Sequence, residues 1–174
     1  MRRLLFSAAL AALLIACTPP AQQDAEAPDT PGPQAQACNT ITPDNARMVR
    51  VEEALAVAAV ASDLPGGPIT PGIYDLTRAV RVGQATGWQD ARAVALEVSE
   101  QAGGVVFQWA GAPGSGEVDR WTATFTDTPS PSLSYTCGRI GTVAPDFTAS
   151  GNALQLRIPD GANGSLLLDF ARRA

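Results

Sequence analysis

From Pro71 onward, apolar and polar positions alternate with a period of two. In Ile73–Val82, Tyr74, Leu76, Val80 and Val82 fall on one side and Asp75, Thr77 and Arg81 on the other. Ala91–Glu100 sets Val94, Leu96 and Val98 against Ala93, Ala95 and Glu97. Val105, Phe107 and Trp109 follow Gly103-Gly104, and Trp121, Ala123 and Phe125 interleave with threonines in Asp119–Asp127. Leu133, Tyr135 and Cys137 repeat the pattern, as do Phe147–Ala149, Leu154–Ile158 and Leu166–Phe170. Alternation of this kind predicts antiparallel strands with one buried face. Gly, Pro, Ser and Asn mark the turns between them, and Gly111–Gly116 reads as a hairpin loop rather than a phosphate cradle. The expectation is an all-β domain: eight strands in an antiparallel up-and-down meander that closes into a barrel.

Ile41–Ser62 breaks the alternation. Thr42-Pro43-Asp44 looks like a helix cap followed by proline at the first helical position, and Ala54–Ala61 is rich in alanine. Against that, Met48–Glu52 reads alternatively as an edge strand. A short N-terminal helix is the preferred expectation, with the edge strand as its alternative.

The start of the chain has a different character. Arg2 and Arg3 precede twelve apolar or small residues, Leu4–Ile15, a run too short for the ~20 residues that cross a bilayer. A basic segment, a short apolar segment and a small residue before a cut describe a secretory signal over residues 1–16. Leu14-Ile15-Ala16-Cys17 resembles the lipobox of bacterial lipoproteins, which implies lipidation of Cys17 as the first mature residue. Thr18 after the cysteine resembles the pattern of lipoproteins sorted to an outer membrane in a diderm cell. Residues 17–37 then form the anchor and a spacer of Pro, Ala and Gln, without an aromatic or β-branched hydrophobe to bury. Residues 38–174 are left as one domain, placed in the periplasm or at the cell surface.

With Cys17 set aside, Cys38 and Cys137 make an even pair in an oxidising compartment and read as one disulfide, clipping the N-terminal segment onto the domain. Residues 38–174 hold 14 acids and 10 arginines, a net charge near −4, so nucleic acid is not an expected partner. The chain has neither His nor Lys, which removes His-based triads, Schiff-base chemistry and a P-loop. No cofactor or metal is expected. Glu52 and Glu53 are adjacent and so diverge, and Asp119, Asp127, Asp146 and Asp160 sit at strand ends where aspartate closes turns.

Gly72-Ile73-Tyr74 is similar to the Gly-x-Trp that opens the first strand of lipocalins, with Tyr in place of Trp. The segment from Phe147 to Leu156 resembles the penultimate hairpin of those barrels, and Arg172 stands where they place a basic residue over the tryptophan. The closest resemblance is to bacterial lipoproteins of no assigned activity whose first strand reads Gly-x-Tyr-x-Leu. Together these imply a lipocalin-like barrel.

An eight-stranded barrel is wide enough either to fill with side chains or to hold one small ligand. Trp88, Trp109, Trp121, Phe107, Phe125, Tyr74 and Tyr135 are therefore candidate lining residues as well as candidate core, with Trp88 expected at a mouth and partly exposed. Arg78 interrupts an inward apolar row; it is either turned out by a bulge or buried as a polar anchor for a ligand. The leading functional expectation is a non-catalytic structural or interaction module bound to the membrane through lipid on Cys17 and contacting an envelope protein. The alternative is a lipocalin-like binder of a small apolar or amphipathic molecule.

Overall fold

Each stretch of period-two alternation becomes a strand, and three short strands join them. The computed structural model describes residues 38–54, 64–102 and 104–174; the signal segment, Cys17, the spacer and residues 55–63 lie outside the described residues. In chain order the strands are β1 (Val51–Ala54), β2 (Pro65–Gly66), β3 (Gly72–Gly83), β4 (Arg92–Gln101), β5 (Gly104–Pro113) and β6 (Asp119–Thr126). They continue as β7 (Ser132–Cys137), β8 (Thr142–Val143), β9 (Asp146–Ser150), β10 (Ala153–Pro159) and β11 (Gly164–Arg172). No helix occurs among the described residues.

Ten strands form one strongly curled half-barrel sheet in the order β2-β9-β10-β11-β3-β4-β5-β6-β7-β8. The first and last long strands, β3 and β11, pair antiparallel along their length, as a closing meander requires. Among the described residues no ladder joins β7 to β9, although they follow one another in the chain. Each instead carries a short partner on that edge: β8 on β7, and β2, parallel, on β9.

The preferred helix is corrected over its described part. Asp44 begins a single turn, its carboxylate accepting from the Ala46 amide and its carbonyl from the Arg47 amide. The chain then extends, and β1 pairs in parallel with Ala79–Val82 of β3. Val49 and Arg92 exchange backbone hydrogen bonds at 2.9 Å, so this segment fills the edge of β3 that β4 leaves after Asp75. An unpaired strand edge outweighs the local preference for a cap and turn.

Two bulges correct the expected faces. The β3–β11 register shifts between Asp169 and Phe170, which oppose Arg78 and Leu76, so Thr77 is the extra residue. Tyr74, Leu76 and Ala79 stay on the core side, while Val80 and Val82 turn to the other side and pack with Leu167. On β7, Cys137 opposes Thr122 and Tyr135 opposes Ala123, making Thr136 the extra residue. Cys137 thereby leaves the face of Leu133 and Tyr135 for the outer face. There it bonds Cys38, with Cα atoms 5.5 Å apart. Gly138 makes the approach possible: it takes φ +76°, and a Cβ on it would stand 3.0 Å from the Cys38 sulfur.

The disulfide lays residues 38–41 across the outer face of β5 and β6. Thr122 Oγ1 donates to the Cys38 carbonyl, and the buried Asn39 carboxamide donates to the carbonyls of Trp109 and Trp121 at 3.0 and 3.1 Å. Ile41 packs on Ala95 and Ala110. The concave side is filled by side chains from every wall, including Leu96, Leu133, Leu154, Leu156 and Leu168, each under 2.5% exposed. Burying one such side chain contributes ~1.5–3 kcal/mol.

Candidate functional site

The β5–β6 ladder sets Trp109 directly opposite Trp121, and the indoles stack at 5.3 Å with planes 11° apart. Tyr135 meets Trp121 edge-on at 5.3 Å from β7. Trp88, in the loop between β3 and β4, meets Trp109 edge-on at 6.5 Å. These are favourable arrangements for aromatic quadrupoles. The four rings wall a cavity of about 210 Å³ at this end of the half-barrel, together with Arg92, Asp119, Arg139, Val143, Ile158, Asp160 and Leu166. All three tryptophans of the chain line it.

Local chemistry holds this end in place. The Asp160 carboxylate, in the turn between β10 and β11, accepts from the amides of Thr86 and Gly87 at 2.6 and 2.7 Å. Gly164 lets the same loop come close, since a Cβ there would lie 2.6 Å from Ala85 Cα. So anchored, the loop buries Trp88 to 3% exposure and its N–H donates to the Asp90 carbonyl. The expected partial exposure of Trp88 is corrected: the residue is a packed lid over the end of the core.

The charges at this end are arranged unevenly. Arg139 lies over Trp121 and over Tyr135, 5.8 Å from each ring, and pairs with Asp119 at 3.1 Å on the half-exposed rim. Arg92 lies over the Trp88 ring at 5.7 Å. Three buried N–H groups find no acceptor among the described residues: Nε1 of Trp109, Nε1 of Trp121 and Nε of Arg92. An unpaired buried donor costs ~1–3 kcal/mol, and these three are closed in by their neighbours rather than open to the cavity. Gly111, the next inward position after Trp109, makes room for the indole, since a Cβ there would stand 3.0 Å from Trp109 Nε1.

The remaining sequence candidates lie elsewhere. Phe107 and Phe125 stack at 5.0 Å deeper in the core, with Phe125 edge-on to Phe147 of β9 at 5.1 Å. Tyr74 is buried beneath Arg172, its ladder partner, and its hydroxyl donates to the Thr70 carbonyl at 2.6 Å. Burial pushes the Tyr74 phenol upward, a shift that the nearby Arg172 charge opposes. Arg78 faces outward because of the bulge at Thr77 and pairs with Glu52 at 2.7 Å, which holds that carboxyl below the usual range. Glu53 pairs with Arg81. A second hollow of about 280 Å³, bordered by Ile69, Val105, Phe125, Asp127 and Phe147, holds no unpartnered buried donor among the described residues. Among the described residues no three His, Cys, Asp or Glu groups gather as a metal site would require.

No protein-family model, curated protein or solved structure matches this chain, and the site stands on its geometry. Arg92 and Arg139 were not legible as site residues in the sequence. Arg139 follows Cys137 by two residues and Arg92 opens the strand after Trp88, but neither interrupts an apolar row, the signal that drew attention to Arg78. Asp160 closes its own turn through its backbone N–H, which donates to the Gly164 carbonyl, while its carboxylate caps a different loop.

Proposed function

We propose that this protein is a small-molecule-binding module of the bacterial envelope, tethered by lipid on Cys17, that holds its ligand at the tryptophan-lined end of the half-barrel. The observation that carries the reading is a cavity of about 210 Å³ walled by four aromatic rings, with the guanidinium groups of Arg92 and Arg139 laid over those rings. Ligand sites combine apolar, aromatic walls with a few placed polar groups, and this one has that composition. At ~30 Å³ per water, about 210 Å³ is room for about seven waters, which suits a small ligand or one end of a longer one. The interaction module has less support, because Met48 and Ile140 are the large hydrophobic residues left exposed among the described residues, too few for an apolar docking patch. The role is binding and not catalysis: aromatic and guanidinium groups face the cavity, and Asp119 and Asp160 are already engaged.

The lipocalin-like barrel belongs to the same proposal. Its support is the pairing of β3 with β11 and the position of Arg172 opposite Tyr74. Two experiments test the whole. Small molecules released by denaturing the freshly purified full chain are identified by mass spectrometry, and tryptophan emission is followed during titration with fatty acids, aromatic compounds and a hydrophobic dye. No released molecule and no saturable change would sink the binding reading. Intact mass of membrane-purified protein should begin at a lipid-modified Cys17; an unmodified N-terminus upstream of it would sink the tether.

A further inference from the structure

Resting on the reading of a lipid on Cys17, we propose that the tryptophan-lined end of the domain faces the bilayer and touches neutral lipid through Ile140. Ile140 stands at the tip of the turn between β7 and β8 and is fully exposed. Such turns favour Gly, Asn, Asp and Ser, and a large hydrophobe in that place gains nothing from the fold. The turn is clamped, so the side chain is held out in a fixed position. Gly138 and Gly141 take φ +76° and +97°, and the Tyr135 amide donates to the Gly141 carbonyl at 3.0 Å. Cys137 is bonded to Cys38, and Arg139 is paired with Asp119.

Two further observations point to the bilayer at this end. The chain enters the domain here: Cys38 is bonded to Cys137, and its sulfur lies 3.0 Å from where a Gly138 Cβ would stand. Residues 18–37 separate Cys17 from Cys38, and a coil of that length averages ~25 Å end to end. Lipid on Cys17 would therefore keep Cys38, and the turn beside it, close to the surface. Met48 is the other large hydrophobic residue exposed among the described ones, and it is at the same end. Its Cε lies 3.7 Å from the Cβ position of Gly114 in the β5–β6 turn. The turns at the opposite end, such as Asp127–Pro131 and Gly151-Asn152, expose no large hydrophobic residue among the described ones. Two such residues are too few to capture a partner from solution. A domain already held at the surface has only to choose an orientation, and burying one isoleucine favours that choice roughly ten- to hundredfold. Asp90 and Glu117 are exposed at this end, and acids outnumber arginines 14 to 10 in the domain, so anionic headgroups oppose the contact. The contact also sets the tryptophan-lined cavity beside lipid, a store of apolar molecules.

The test uses the full chain purified from membranes, in phosphatidylcholine nanodiscs that contain some phosphatidylcholine spin-labelled in its acyl chain. Isoleucine and methionine methyl groups carry ¹³C. Met48 is the only methionine left once the signal segment is removed, and Ile69, which borders the hollow at the opposite end, is the internal control. The Ile140 methyl signal is expected to broaden severalfold more than that of Ile69, and Met48 should also exceed Ile69. Ile140→Ser changes a fully exposed side chain and should abolish the excess at Met48, whereas Ile140→Leu should keep it. Equal broadening of Ile140 and Ile69, or more at Ile69, in a chain that elutes with the nanodiscs overturns the contact and leaves the tether intact. A contact that needs added anionic lipid and disappears in salt overturns the assignment to neutral lipid. A chain without lipid on Cys17 that elutes apart from the nanodiscs removes the tether, and the contact falls with it.

Discussion

Replacing Asn39 with alanine tests whether the disulfide-clipped segment supports the cavity from behind. The Asn39 carboxamide donates to the Trp109 and Trp121 carbonyls, and its oxygen accepts from Arg120 Nη1 at 3.0 Å and from the Ile41 amide at 3.3 Å. Four hydrogen bonds at a net ~1 kcal/mol each, with part of the Arg120 share recovered from water and from the Ile41 carbonyl, come to about 3 kcal/mol. With an unfolding entropy of ~2.1 cal/mol/K per residue over about 137 residues, that loss lowers the midpoint by roughly 10 °C. Thermal unfolding of the oxidised full chain, followed by circular dichroism, measures it. Asn39→Asp keeps the acceptors for Arg120 and Ile41 but turns an oxygen toward the two tryptophan carbonyls, and is expected to lose at least half as much. A loss under about 1 kcal/mol for alanine, or full stability for aspartate, would refute the reasoning by showing that the two N–H donors contribute nothing.

Removing the disulfide as Cys38→Ser with Cys137→Ser opens a loop set by a separation of 99 residues, for which chain entropy gives ~4.7 kcal/mol. Urea midpoints with and without reductant should reproduce that loss in the parent, and an unchanged midpoint would count against the clip. Tyr74 titrates above its ordinary value in the folded protein, so between about pH 10 and that raised value the unfolded chain holds fewer protons. Stability from this group is therefore complete below about pH 10 and declines as pH rises through the folded value. The decline should be absent from Tyr74→Phe when urea midpoints are compared across that range. Gly164→Ala drives a methyl into the Ala85 backbone and is expected to cost ~1–3 kcal/mol and to red-shift tryptophan emission as the Trp88 loop lifts. Unchanged emission would mean that the loop tolerates the displacement.

The eight long strands were legible because a strand with one buried face writes its period into the residues themselves, as in Trp121-Thr-Ala-Thr-Phe125. The tryptophan cluster was half legible. Trp109 and Trp121 were recognisable as inward residues, but their stacking depends on the β5–β6 register, which pairs positions in separate segments. Arg78 shows the limit most clearly. Alternation left it either turned out by a bulge or buried as a polar anchor, and the extra residue at Thr77 decides for the first. Cys137 changed face for the same reason, and with it the side of the sheet that the N-terminal segment covers. The segment around Met48–Glu52 was open between a helix and an edge strand, and the free edge on β3 decided for the strand over Val51–Ala54.

By itself, the sequence determined the all-β class, the strand segments, the single pair of cysteines available to the domain, and the absence of His- and Lys-based chemistry. These follow from composition and from burial that repeats along the chain. The tertiary structure alone decided where the half-barrel stays open, which residues the bulges turn outward, and that Arg92, Arg139 and Asp160 meet three indoles at one end. Those outcomes depend on register and on the packing of distant loops, such as the Asp160 carboxylate on the amides of Thr86 and Gly87. A contact across 70 or more residues is selected by the energy of the assembled sheet, and no local pattern encodes it.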